Sequence, residues 1–107
     1  MALDMYRSDN NKHELSINHR HYTHLKNIFY DFGSSTGIFI IECRDTTLDI
    51  KQIEKLIEVI DNHLKTNDLN KGKYFRGNPE GLTFIVEFKE LLQYLVEENV
   101  SIYFIGD

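Results

Sequence analysis

Cysteine and proline each occur once in this 107-residue chain, and each scarcity removes a class of architecture. A lone Cys43 closes no internal disulfide, so the chain is not a small scaffold stapled against an oxidising medium, and a reducing compartment fits it. A single proline among 41% apolar and 27% charged residues argues against a disordered or proline-rich tail and for a packed core. No apolar run approaches the roughly 18 residues that span a bilayer. The start, Met1-Ala2-Leu3-Asp4, lacks the basic and then apolar order of a secretory signal, so the expected address is the cytoplasm, away from membranes.

Positive charge is also short. Seventeen acidic against twelve basic residues leave a formal net charge of −5, and the average field of such a surface repels phosphate backbones. Direct nucleic-acid binding is therefore not expected, whereas a basic protein partner would be steered toward this surface. Catalytic signatures are missing too. Ser34 and Ser35 sit between Gly33 and Gly37, but neither a nucleophile elbow nor a phosphate loop with its lysine surrounds them. Cys43 falls in an apolar run, where a thiol is expected to be an inert core filler. No cofactor is implied, and the chain is not expected to be an enzyme.

At this length the residues present fit one core. Residues 1–12 are polar, end in Asp9-Asn10-Asn11-Lys12 and are expected to be frayed, leaving 13–107 as a single domain. Leu15 and Ile17 alternate with polar neighbours and suggest a strand over 13–22, and the aromatic run 25–32 suggests another. With the Gly33 to Gly37 cluster as a tip, residues 25–43 form an expected hairpin whose second arm, 38–43, is apolar on both faces like a covered central strand.

Ile50, Ile53, Ile57, Ile60 and Leu64 recur at spacings of 3 and 4, which places one helical stripe over this segment. Thr46 and Asp49 resemble a capping box, putting the helix start near 47 and its end before Thr66-Asn67-Asp68. Asn78-Pro79-Glu80-Gly81 carries type I turn residues and predicts a hairpin pairing 73–77 with 82–87. The competing reading makes Asn78 an N-cap and Pro79 the first residue of a long helix, because Leu82, Ile85, Phe88, Leu92 and Leu95 also fit a helical stripe. A second helix through Phe88, Leu91, Leu92 and Leu95 should stop near Asn99, and a last strand covers 100–105. The expected fold class is α+β: a mixed, mostly antiparallel sheet of five or six strands with two main helices packed on it.

Four features carry candidate chemistry. His13, His19, His21 and His24 crowd into twelve residues, a spacing able to grip a transition metal; set against that, only Glu14 is a nearby carboxylate, and solvated surface histidines are the favoured explanation of the cluster, with contact to a partner as the other alternative. Glu54, Glu58 and Asp61 form an acidic ridge on the first helix, and Glu87, Glu90, Glu97 and Glu98 form a second acidic group. A solvated helix face with Lys51 and Lys55 as partners is the plain alternative to a cation-binding patch. Tyr74 and Arg76, flanking Phe75, are residue types that dominate interface hot spots.

Size, acidity and absent catalytic motifs together point to a cytoplasmic binding protein that neutralises a basic protein partner, for example the immunity protein of a bacterial nuclease toxin. Glu54, Glu58, Asp61, Tyr74, Arg76, Glu90, Glu97 and Glu98 are its expected contacts. The alternatives are a metal-dependent enzyme or metal binder built on the histidine cluster, and a regulatory subunit of a larger assembly.

Overall fold

The computed structural model describes residues 2–69 and 79–106. The order of elements is β1 (Ala2–Arg7), β2 (His13–Asn18), α1 (His19–Thr36), β3 (Thr46–Leu48), α2 (Ile50–Leu69), α3 (Pro79–Glu97) and β4 (Ile102–Gly106). The fold is α+β, with three helices packed on a four-stranded sheet of order β2-β1-β4-β3 in which every neighbour is antiparallel. None of these helices is long and apolar enough to cross a membrane.

Residues 2–7, expected to be frayed, form an interior strand instead. Leu3 and Met5 alternate with Asp4 and Tyr6, and β1 pairs on one side with β2 and on the other with β4. The polar run that looked like fraying is the hairpin turn: Arg7 N–H donates to the Lys12 carbonyl, Asn11 adopts a left-handed φ of 59°, and Arg7 grips Asp9 through two hydrogen bonds. Asparagine tolerates that backbone better than most residues. Leu3, Met5, Ile17, Leu48, Ile102 and Phe104 are fully buried and form the sheet's contribution to the core.

The sheet's other face carries Asp4, Tyr6, Ser16, Tyr103 and Ile105. A one-residue irregularity in β2 adds His13 to them, because Met5 pairs with Leu15 but Tyr6 pairs with His13, leaving Glu14 as the extra residue. Tyr6 stacks on Tyr103 at 5.2 Å and meets the His13 ring edge-on. Ser16 Oγ donates to Asp4 Oδ1 at 2.7 Å, and His13 Nε2 lies 3.2 Å from the same oxygen.

Residues 19–36 are a helix and not a strand followed by a loop. Leu25, Ile28, Phe29 and Phe32 recur at helical spacing and are all buried, an arrangement a strand would split between two faces. Burial outweighs the β-propensity of the aromatic residues. Asn18 caps the start by accepting from His21 N–H at 2.8 Å, and Gly37, at φ 80°, closes the end as a left-handed cap. Ser34 and Ser35 are thus exposed residues of the last helical turns, not a hairpin tip.

Residues 38–43 do not join the sheet. They run back along α1, where the Tyr22 hydroxyl donates to the Ile40 carbonyl at 2.9 Å, taking the place a neighbouring strand's N–H would fill. Ile40 is buried, Phe39 packs flat over Gly33, and a Cβ at that glycine would fall 2.2 Å from the ring. Cys43 is exposed in the turn that follows, not a core filler.

The capping box before α2 lies three residues beyond its expected place. Asp49 Oδ1 accepts from Gln52 N–H and Gln52 Oε1 accepts from Asp49 N–H, both at 2.8 Å, which frees Thr46–Leu48 to pair with β4. Ile53, Leu56 and Ile60 bury the helix, Ile50, Ile57 and Leu64 are half-buried beside them, and α2 continues through Thr66 to Leu69. Residues 82–88 belong to α3, so the long-helix reading replaces the hairpin. Pro79 opens the helix, where its missing N–H costs nothing, and Ile85, Phe88, Leu92 and Leu95 form its buried stripe. The other expected hairpin arm, 73–77, and Asn78 lie outside the described residues. Asn99 ends α3 as expected: at φ 58°, its N–H donates to the Val96 carbonyl while Val100 N–H reaches Leu95, a Schellman arrangement.

Two expectations test this architecture. Met5→Ala should lower the unfolding free energy by about 2–5 kcal/mol in urea denaturation, the cost of a core cavity; a loss of only a few tenths would mean that β1 is not an interior strand. Asp4 titrates below the ordinary carboxylate range chiefly because Ser16 donates to it; burial opposes the shift, and smaller contributions from His13 reinforce it. A depressed folded pKa adds stability above the unfolded value, about 3.9, that is lost as pH falls through the folded one. The thermal midpoint of the native protein should therefore drop more steeply below about pH 4 than that of Asp4→Asn; parallel curves would contradict the assignment.

Candidate acidic groove between two helices

Helices α2 and α3 lie side by side in antiparallel sense in the chain's path, and the ion pair between Lys89 and Asp61 bridges them. Along α2, Glu54, Glu58 and Asp61 occur at spacings of 4 and 3, so they share one face, and all three are exposed. On α3 the buried stripe leaves Glu87, Glu90, Tyr94 and Glu97 exposed, and Glu98 is exposed in the turn just after it.

The carboxylates are not equivalent. Asp61 is neutralised by Lys89, and Glu58 pairs with Lys55 at 3.4 Å within its own helix. Glu98 accepts a long hydrogen bond, 3.4 Å, from the Tyr94 hydroxyl. Glu54 from α2 and Glu97 from α3 have no ion-pair partner among the described residues, and these two line one groove of about 420 Å³ together with Ile57, Gln93 and Val96. Ile57 and Val96 are half-buried, so the groove has an apolar floor between its acidic walls. Two unneutralised carboxylates flanking apolar surface suit a cationic side chain whose stem also needs covering.

Glu90 is exposed on the same helix without joining that groove, and Glu87 lies at a second concavity with His21, Glu80, Thr83 and Phe84. Tyr74 and Arg76 lie outside the described residues. The residue that sequence reasoning missed is Tyr94, 49% exposed among the α3 carboxylates. Its spacing four residues after Glu90 and four before Glu98 was the available signal. The Tyr94 hydroxyl also approaches Arg7, whose guanidinium is held charged chiefly by Asp9 and to a lesser degree by this tyrosine.

The histidine cluster disperses when folded. His13 sits on the open sheet face, His19 pairs with Glu42 at 3.1 Å, and His21 stacks on Phe84 with ring centroids 4.4 Å apart. No group of three or more His, Cys, Asp or Glu side chains able to hold a metal occurs among the described residues. Asp4, His13 and Ser16 have the composition of a nucleophilic triad but not its wiring. Ser16 Oγ and Asp4 Oδ1 both approach the same ring nitrogen, His13 Nε2, at 3.0 and 3.2 Å, whereas a triad places the acid on the opposite nitrogen. Ser16 moreover donates its proton directly to Asp4.

No known protein-family model matches the chain, and neither a curated protein nor a solved structure proves similar to it. The groove between α2 and α3 has to be read from its own chemistry.

Proposed function

We propose that this chain is a cytoplasmic binding protein that neutralises a basic protein partner, as the immunity protein of a bacterial nuclease toxin does. The observation that supports the reading is the meeting of Glu54 and Glu97, from separate helices and without counter-ions among the described residues, on the apolar floor of Ile57 and Val96. A nuclease must present cations to hold phosphates. Carboxylates set on a rigid two-helix face can occupy those cations, while apolar floor and the exposed Tyr94 supply buried area. Asp61 and Glu58, tied to lysines, serve the face mainly by fixing it: the Lys89 contact holds α3 against α2. Glu90 and Glu98 add to the field that steers encounter and contribute less to the final contact.

Capture with tagged protein from lysate of its source cell at low salt, followed by elution at high salt, should yield one basic protein in stoichiometric amount. Adding the chain should then suppress that partner's activity on nucleic acid. Charge reversal in Glu54→Lys with Glu97→Lys is expected to weaken binding by about tenfold or more and to flatten its salt dependence, with the thermal midpoint nearly unchanged. If affinity in the native protein does not vary between about 50 and 500 mM salt, a threefold change in Debye length, the acidic groove is not the contact surface.

A further inference from the structure

A third concavity shares no residue with the acidic groove. The α1 stripe of Tyr22, Lys26, Phe29 and Tyr30 faces the returning segment of Phe39, Ile40 and Ile41, and between them lies a recess of about 290 Å³. Its construction is specific. Gly37 reverses the chain at the end of α1, the bare backbone of Gly33 lets the Phe39 ring lie against the helix, and the Tyr22 hydroxyl pins the Ile40 carbonyl. Tyr30 and Phe39 contact one another at 6.2 Å, yet remain 65% and 40% exposed, so they form walls that no part of the described chain covers.

Besides the tyrosines, the polar side chains lining this recess are Lys26 and Asn27. Lys26 is exposed and has no ion-pair partner among the described residues, in a chain whose acidic side chains outnumber its basic ones. Aromatic walls, an aliphatic floor and one uncompensated ammonium group define complementary chemistry: an apolar ring bearing a single negative charge on a short tail. The volume lies near the lower limit of small-molecule sites, about 300 Å³, which suits a small ligand.

We propose that this recess binds a small monocyclic aromatic carboxylate, with the ring held among Tyr22, Phe29, Tyr30 and Phe39 and the carboxylate paired with Lys26. The site is separate from the acidic groove, so its failure would leave the partner-binding reading untouched.

The test is a ¹H–¹⁵N NMR titration of the full chain with 3-phenylpropionate, alongside its uncharged counterpart 3-phenylpropan-1-ol. The acid should produce saturable shifts concentrated on residues 22–30 and 39–41, with a Kd of about 1 mM. The alcohol should bind about threefold more weakly, as expected for loss of one exposed ion pair. Lys26→Gln, a surface change that leaves the fold intact, should remove the difference between the two ligands, and Phe39→Ala should weaken both. Absence of saturation up to about 20 mM, shifts spread over α2 and α3, equal binding of acid and alcohol, or indifference to Lys26→Gln would each overturn the proposal.

Discussion

The pairing of β1 with β4 is the contact on which the rest of the molecule depends. It sets Met5 against Phe104 and Leu3 near Gly106, joining segments about a hundred residues apart into the middle of the sheet. Each of these strands then carries one outer neighbour, β2 on one side and β3 on the other. With both middle strands paired on both edges, the six buried sheet residues form one continuous apolar surface, and the helices have a single face on which to pack. Phe29 connects the layers, meeting Phe104 of the sheet at 6.4 Å and Phe88 of α3 at 6.1 Å. The position of α3 beside α2, and so the groove between Glu54 and Glu97, follows from that core.

Charge is distributed over this frame in two ways. Several carboxylates are consumed by the fold: Asp4 by Ser16 and His13, Asp31 by His63, Glu42 by His19, Asp61 by Lys89 and Glu80 by Arg20. Most of these pairs cross between elements, and being partly exposed each contributes modestly to stability while fixing relative position. The carboxylates at the α2–α3 groove stand apart from that pattern. Two negative charges at one groove, with no counter-ion among the described residues, are mildly destabilising to the fold.

The sequence was legible where one signal dominated. The isoleucine stripe of α2, the alternation of β4 and the asparagine after α3 all appear at or near their expected places, because periodicity, propensity and capping agree there. It misled where signals conflicted. The aromatic residues of α1 favour strands by propensity and a helix by spacing, and only burial of Leu25, Ile28, Phe29 and Phe32 together decides between them. Residues 82–88 of α3 pose the same conflict with the same outcome. At residues 38–43 the apolar run was real but its partner was a helix, a choice that no local pattern encodes. The site was half legible: Glu54 and Glu97 stood out as acids on helices, whereas their meeting across a groove, and the exposure of Tyr94 beside them, depend on how two helices distant in sequence pack.

The β1–β4 pairing also imposes a timetable on synthesis. At about 5–20 residues per second, the ribosome needs on the order of 5–20 s to proceed from β1 to β4, and throughout that interval β1 has only β2 beside it. A two-stranded ribbon is marginal in water, and here it would hold Leu3, Met5 and Ile17 uncovered. The nascent chain therefore passes through a stage in which all three helices have been made while the middle of the sheet still lacks the strand that completes its apolar face.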